Sequence, residues 1–194
     1  MAVDAEEVQE IGRDGVASVQ RWMEATTFME LNWNVYENVA QCAIRCLDGS
    51  VKKFDLAGAF LGGDRAPIVV ESKKYRSPGG QHKYFKQFLA TAYSSTVYEM
   101  ESLGADAKRE FFWVTSHPFY LSGWKDLATE DKIESAIAEN SALLAGREID
   151  RTILRSVSER VWVLVWHEKQ EEISLTHEEL MLVLANLKRK AHTL

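Results

Sequence analysis

Apolar residues recur at helical spacing over 4–26, where Val8, Ile11, Val19, Trp22 and Met23 make one loose stripe. That spacing predicts a helix, which Gly12 and Gly15 weaken. Residues 33–47 predict a strand that ends at the turn Leu47-Asp48-Gly49-Ser50, and 51–60 predict its hairpin partner. The run 62–67 turns the chain again, and 68–74 predicts a third strand. A helical period returns over 81–103, with Tyr84, Phe85, Phe88, Leu89, Ala92, Tyr93 and Thr96 on it. Residues 109–116 predict a strand apolar on both faces. Helices over 129–145 and 148–157 follow, the first stopped by Gly146. Residues 160–167 read as a fully buried central strand. Thr176 and Glu179 form a capping box for a last helix over 177–191. The order αβββαβααβα implies an α/β fold, a mixed sheet with helices on its faces.

Composition narrows the setting. At 194 residues, with no linker-like segment, the chain is expected to form one domain with a sizeable core. Apolar residues make up 46% and charged residues 27%, the balance of a water-soluble globular protein. No apolar run reaches the length of a membrane span, so no membrane partner is expected. The first ten residues, MAVDAEEVQE, are acidic and hold no apolar signal region, which points to the cytoplasm. Cys42 and Cys46 are the only cysteines. On a strand they stand about 13 Å apart, beyond disulfide reach, and they read as buried structural thiols. The net charge of −6 argues against a protein coated in basic charge and leaves room for a local basic patch.

Three charges interrupt the predicted strands. Asp55 sits on the hairpin partner, and Glu71 and Lys73 sit on the third strand among residues that want burial. A buried charge needs a partner or a task. Side chains alternate along a strand, so Glu71 and Lys73 share a face with Val69, while Ile68, Val70 and Ser72 share the other. Antiparallel pairing across the 62–67 turn can bring Asp55 beside Glu71. Two carboxylates that close repel, and one keeps its proton unless a cation sits between them. Oxygen ligands in this density suit a hard cation, Mg²⁺ or Mn²⁺.

Asp55 followed by Glu71-Ser72-Lys73 resembles the PD-(D/E)XK nuclease superfamily, with its restriction-endonuclease-like three-layer fold. The likeness covers roughly 4–116 as a core, with 117–194 as a C-terminal strand and helices. It implies hydrolysis of phosphodiester bonds. Asp55, Glu71 and the main-chain carbonyl of Ser72 would hold the metal, and Lys73 would position or activate the attacking water. Many members add a Glu on the first helix; Val16 stands at that place here, and Glu10 is the nearest acid.

Charge placement fits such a role. From Ser72 to Tyr98 there is no Asp or Glu, in a chain that has 29 acids. The same stretch carries Lys73, Lys74, Arg76, His82, Lys83 and Lys86, with Gln87 as a further polar candidate, and is expected to meet a phosphate backbone. Trp113, Trp162 and Trp166 read as core, and His117 as a loop cap. The expected activity is a Mg²⁺-dependent DNA endonuclease, in restriction, repair or anti-phage defence. Two other classes compete: a nuclease-fold binding or assembly subunit that no longer cuts, and an enzyme acting on RNA or on a particular nucleic-acid structure. No helix-turn-helix, zinc finger or coiled coil supplies sequence recognition, so specificity would need a homodimer or a larger complex.

Overall fold

The computed structural model describes residues 5–26, 28–61, 65–74, 80–119 and 121–187, with backbone alone for 5–11, 121 and 184. Its centre is a mixed five-stranded sheet in the order β1-β4-β5-β6-β7. The strands are β1 Met29–Asn34, β4 Leu56–Phe60, β5 Pro67–Lys73, β6 Glu110–Thr115 and β7 Val161–Val165. β1, β4 and β5 run antiparallel in turn; β5, β6 and β7 run parallel. A separate two-stranded sheet pairs β2 Ala43–Arg45 with β3 Val51–Lys53.

Helices pack on both faces, as the alternating strands require. Ile68 and Val70 of β5 point to α1 (Ala5–Thr26), where Val16, Val19 and Met23 bury against them together with Leu31, Leu56 and Phe112. Val69 points the other way, with Ala57, Phe111 and Trp113, onto α2 (Gln81–Leu103). Behind α2 lie α3 (Glu130–Glu139) and α4 (Arg151–Ser158). Sandwiched between sheet and helices, α2 is buried continuously from Phe88 to Thr96. Several polar side chains in that stretch bond to backbone groups. Ser94 Oγ donates to the Leu143 carbonyl, and Thr96 Oγ1 donates to the Ala92 carbonyl.

Four sequence expectations are corrected. The strand predicted over 33–47 is two short strands in two different sheets. Asn34 breaks it, its Oδ1 accepting from the Tyr36 and Glu37 N–H groups to turn the chain. The partner predicted over 51–60 likewise divides, into β3 and β4, at Phe54 and Asp55. The strand predicted as central, β7, is the edge of the sheet, and its Trp162 is 45% exposed. That ring stacks on Phe112, with centroids 5.7 Å apart, and its Nε1–H donates to Glu110. Trp113 and Trp166 are core as expected. The helix predicted over 129–145 ends at Glu139 and resumes as a short 3-10 turn, Ser141–Leu144. The capping box that opens α5 (His177–Leu187) is present: Glu179 Oε2 accepts from the Thr176 N–H, and Thr176 Oγ1 accepts from the Glu179 N–H. Among the described residues, no helix is long and apolar enough to cross a membrane.

Candidate functional site

The register of β4 on β5 builds the site. Leu56 pairs with Val70, and Asp55, one residue before β4 begins, lies beside that pair, close enough to Glu71 for their charges to interact. The Asp55 N–H donates to the Val70 carbonyl, which anchors its backbone to β5. Beyond that point β4 has ended, and the Ser72 N–H has no strand to pair with. The Asp55 carboxylate takes the strand's place, its Oδ2 accepting from Ser72 N–H at 2.7 Å. In an extended chain the N–H and C=O of one residue point to the same side. The Ser72 carbonyl therefore faces Asp55 too. Glu71 and Lys73 lie on the α2 face, where β6 carries Trp113 and Thr115 beside them.

The sequence-predicted triad thus converges, and its electrostatics are tense. Glu71 is buried, 4% exposed. Lys73 Nζ lies 2.6 Å from Glu71 Oε1. The other oxygen, Oε2, is buried and accepts no hydrogen bond among the described residues. Burial first, and the Glu71 charge second, push Asp55 up to about 6. Lys73, the Ser72 N–H and Lys52 pull it down, without cancelling the rise. The same Asp55 charge adds to burial in holding the Cys42 thiol up at about 11, so Cys42 stays protonated, a structural thiol as expected. Burial and Asp55 also raise the Tyr36 phenol, while the Arg13 guanidinium lies 5.5 Å over the Tyr36 ring.

Sequence reasoning missed Lys52. Its Nζ lies 2.8 Å from the same Glu71 Oε1. It reaches the site because the small β2–β3 sheet folds over the α2 face, with Cys42, Ile44 and Phe54 in that core. A charged residue on a separate hairpin carries no sequence signal of this approach. Gln81 was missed as well. It is fully buried at the start of α2, where its Oε1 accepts from Thr115 Oγ1 and its Nε2 donates to the His117 carbonyl. It ties α2 to the end of β6, next to Lys73. Gly15 serves packing: a Cβ there would stand 3.2 Å from the Lys74 side chain.

The acid-free segment reads differently in three dimensions. Lys74 pairs with Glu168 at 2.8 Å, and Lys86 pairs with Glu139 of α3. Acids distant in sequence thus meet cations that look uncompensated along the chain. Lys83 and Gln87 are exposed on α2. His82 is exposed, and its pKa is lowered by burial of the ring and by nearby Lys86. Arg76 and the side chain of Glu10 lie outside the described residues.

The donor set fits a hard divalent cation. Asp55 and Glu71 offer carboxylate oxygens, one of them buried without a partner among the described residues, and strand geometry turns the Ser72 carbonyl to the side of its N–H, which bonds Asp55. Among the described residues no group of three or more His, Cys, Asp or Glu side chains is placed to hold a metal. Two carboxylates and a carbonyl suit Mg²⁺, which keeps several waters.

No protein-family model matches the chain, and no curated protein does. In a comparison of folds, the chain is similar to a Moraxella osloensis Cap4 SAVED/CARF-domain containing receptor, at 11% identity and a TM-score of 0.36. The match covers 95% of this chain and spans 39% of the length of that one. A likeness at that level says nothing of activity.

Proposed function

We propose that the chain is a metal-dependent nuclease of PD-(D/E)XK type, with a restriction-endonuclease-like fold, that hydrolyses phosphodiester bonds in DNA. One observation carries the reading: Glu71 Oε2 is buried, beside a second carboxylate, with no hydrogen-bond partner among the described residues. An orphaned acceptor of this kind costs stability, and a site that binds a cation explains its presence. Asp55, Glu71 and the Ser72 carbonyl hold the cation. When bound, a divalent cation supplies stabilisation of the charge that builds on the phosphate. Lys73 donates to the attacking water and to the phosphate oxygen, held in place by Glu71 on one side and by the Trp113 ring, 5.8 Å from its Nζ. Gln81 is a positioning residue: it fixes the end of β6 against which Lys73 lies. Trp113 lies near Lys73, Phe54 near Lys52 and Cys42 near Asp55, so buried residues back the charge cluster.

A second reading has its own observation. Lys52 and Lys73 together neutralise Asp55 and Glu71, so the cluster is charge-balanced with no ion. A binding or assembly subunit of the same fold would keep such a cluster as structure.

One assay separates them. The protein is incubated with supercoiled, linear and single-stranded DNA and with RNA, each with Mg²⁺, Mn²⁺ or EDTA. The nuclease reading expects products that require the metal, and a loss of about 100-fold or more in Glu71→Gln and Lys73→Met. Mobility shifts without products support the binding subunit. Variants that cut as fast as wild type overturn the site assignment.

A further inference from the structure

Lys52 belongs to no part of the carboxylate–lysine pattern read from the sequence, yet it holds the same Glu71 oxygen as Lys73, at 2.8 Å against 2.6 Å. Two ammonium groups on one oxygen repel each other, and the arrangement leaves Oε2 without a hydrogen-bond partner among the described residues. The two lysines are held differently. Lys73 rises from β5, in the middle of the sheet, with the Trp113 ring near its Nζ. Lys52 reaches in from the separate β2–β3 sheet, its side chain 33% exposed and its Nζ 5.5 Å from the Phe54 ring. Both side chains reach solvent, Lys52 at 33% and Lys73 at 25%, but Lys73 shares its strand with Glu71 whereas Lys52 comes from a separate sheet.

We propose that Lys52 is a built-in counter-ion: it neutralises the carboxylate pair in the resting site, and a divalent cation must displace it from Glu71 to bind. The inference rests on the reading of the site as a cation-binding centre. Its physical basis is competition between two cations for one buried charge pair. Without a cation, Asp55 and Glu71 repel, and Lys52 relieves that repulsion. With a divalent ion in place, the Lys52 charge becomes a neighbour of like sign. Removing the Lys52 charge therefore tightens metal binding, the opposite of what a positioning residue would do.

Calorimetric titration with Mn²⁺ tests this on the whole chain, with near-UV circular dichroism as the check on folding. Lys52→Met keeps the aliphatic stem against Phe54 and loses the charge. It is expected to bind Mn²⁺ about tenfold or more tighter than wild type. Lys52→Gln, also uncharged, repeats the gain, whereas Lys52→Arg stays at or below wild-type affinity. Glu71→Gln loses binding. If wild type binds Mn²⁺ and Lys52→Met binds it equally or more weakly, displacement is overturned while the cation centre stands. If neither wild type nor Lys52→Met binds Mn²⁺, the cation centre itself is wrong.

Discussion

Asp55→Asn should make the protein more stable, and only above a defined pH. Asp55 loses its proton near 3.8 in an unfolded chain and at about 6 in the folded one. At about 1.4 kcal/mol per pKa unit, that gap corresponds to about 3 kcal/mol. The sign follows from proton counting. Below 3.8 both states hold the proton, and Asp55 contributes nothing. Between 3.8 and about 6 the folded chain keeps a proton that the unfolded chain has released, so stability falls as pH rises. Above about 6 the full penalty stands. Asparagine removes the charge and keeps an oxygen that can accept from the Ser72 N–H, the bond Asp55 makes at 2.7 Å. Urea unfolding followed by the fluorescence of the six tryptophans reads the effect. Asp55→Asn should gain about 2–3 kcal/mol over wild type near pH 7.5 and close to nothing near pH 4. Equal stabilisation at both pH values, or destabilisation at the higher one, would refute the argument that repulsion and burial strain this carboxylate. The gain should come with loss of function, as expected where a binding site is held under electrostatic tension.

Three further substitutions test the frame around the site. Gly58→Ala should destabilise by about 3 kcal/mol or more, because a Cβ there falls 1.9 Å from the Glu30 carbonyl oxygen and 2.7 Å from Leu31 Cα. Leu31 and Asn32 bulge opposite that one glycine; a variant with an unchanged urea midpoint would mean the bulge does not press on β4. Trp113→Ala should cost about 3–5 kcal/mol and Trp162→Ala only about 1–2, measured in the same titration. Equal costs would contradict the placement of β7 at the sheet edge.

Much of the site was legible before the fold was known, for a local reason. Glu71 and Lys73 share a face because the strand repeats every two residues, and Val69 goes with them into the α2 core. Asp55 comes near Glu71 because the antiparallel pairing of β4 with β5 ends beside both. Helix limits set by Gly104 and by the Thr176–Glu179 cap are equally local. Other features depend on distant parts of the chain. The 160–167 stretch looks central because it is apolar throughout, but strand order is a choice among neighbours, and an apolar edge reads like an apolar centre. The basic run from Lys73 to Lys86 looks uncompensated because Glu139 and Glu168 lie far along the chain.

The chain by itself determined the period of most elements and the three charges that the sheet brings together, since backbone geometry dictates these locally. The tertiary structure alone decided that β2 and β3 leave the main sheet and fold over α2, which delivers Lys52 to Glu71 and sets the charge balance of the site. Coulombic energy depends on separation in space, and only the folded chain specifies that separation.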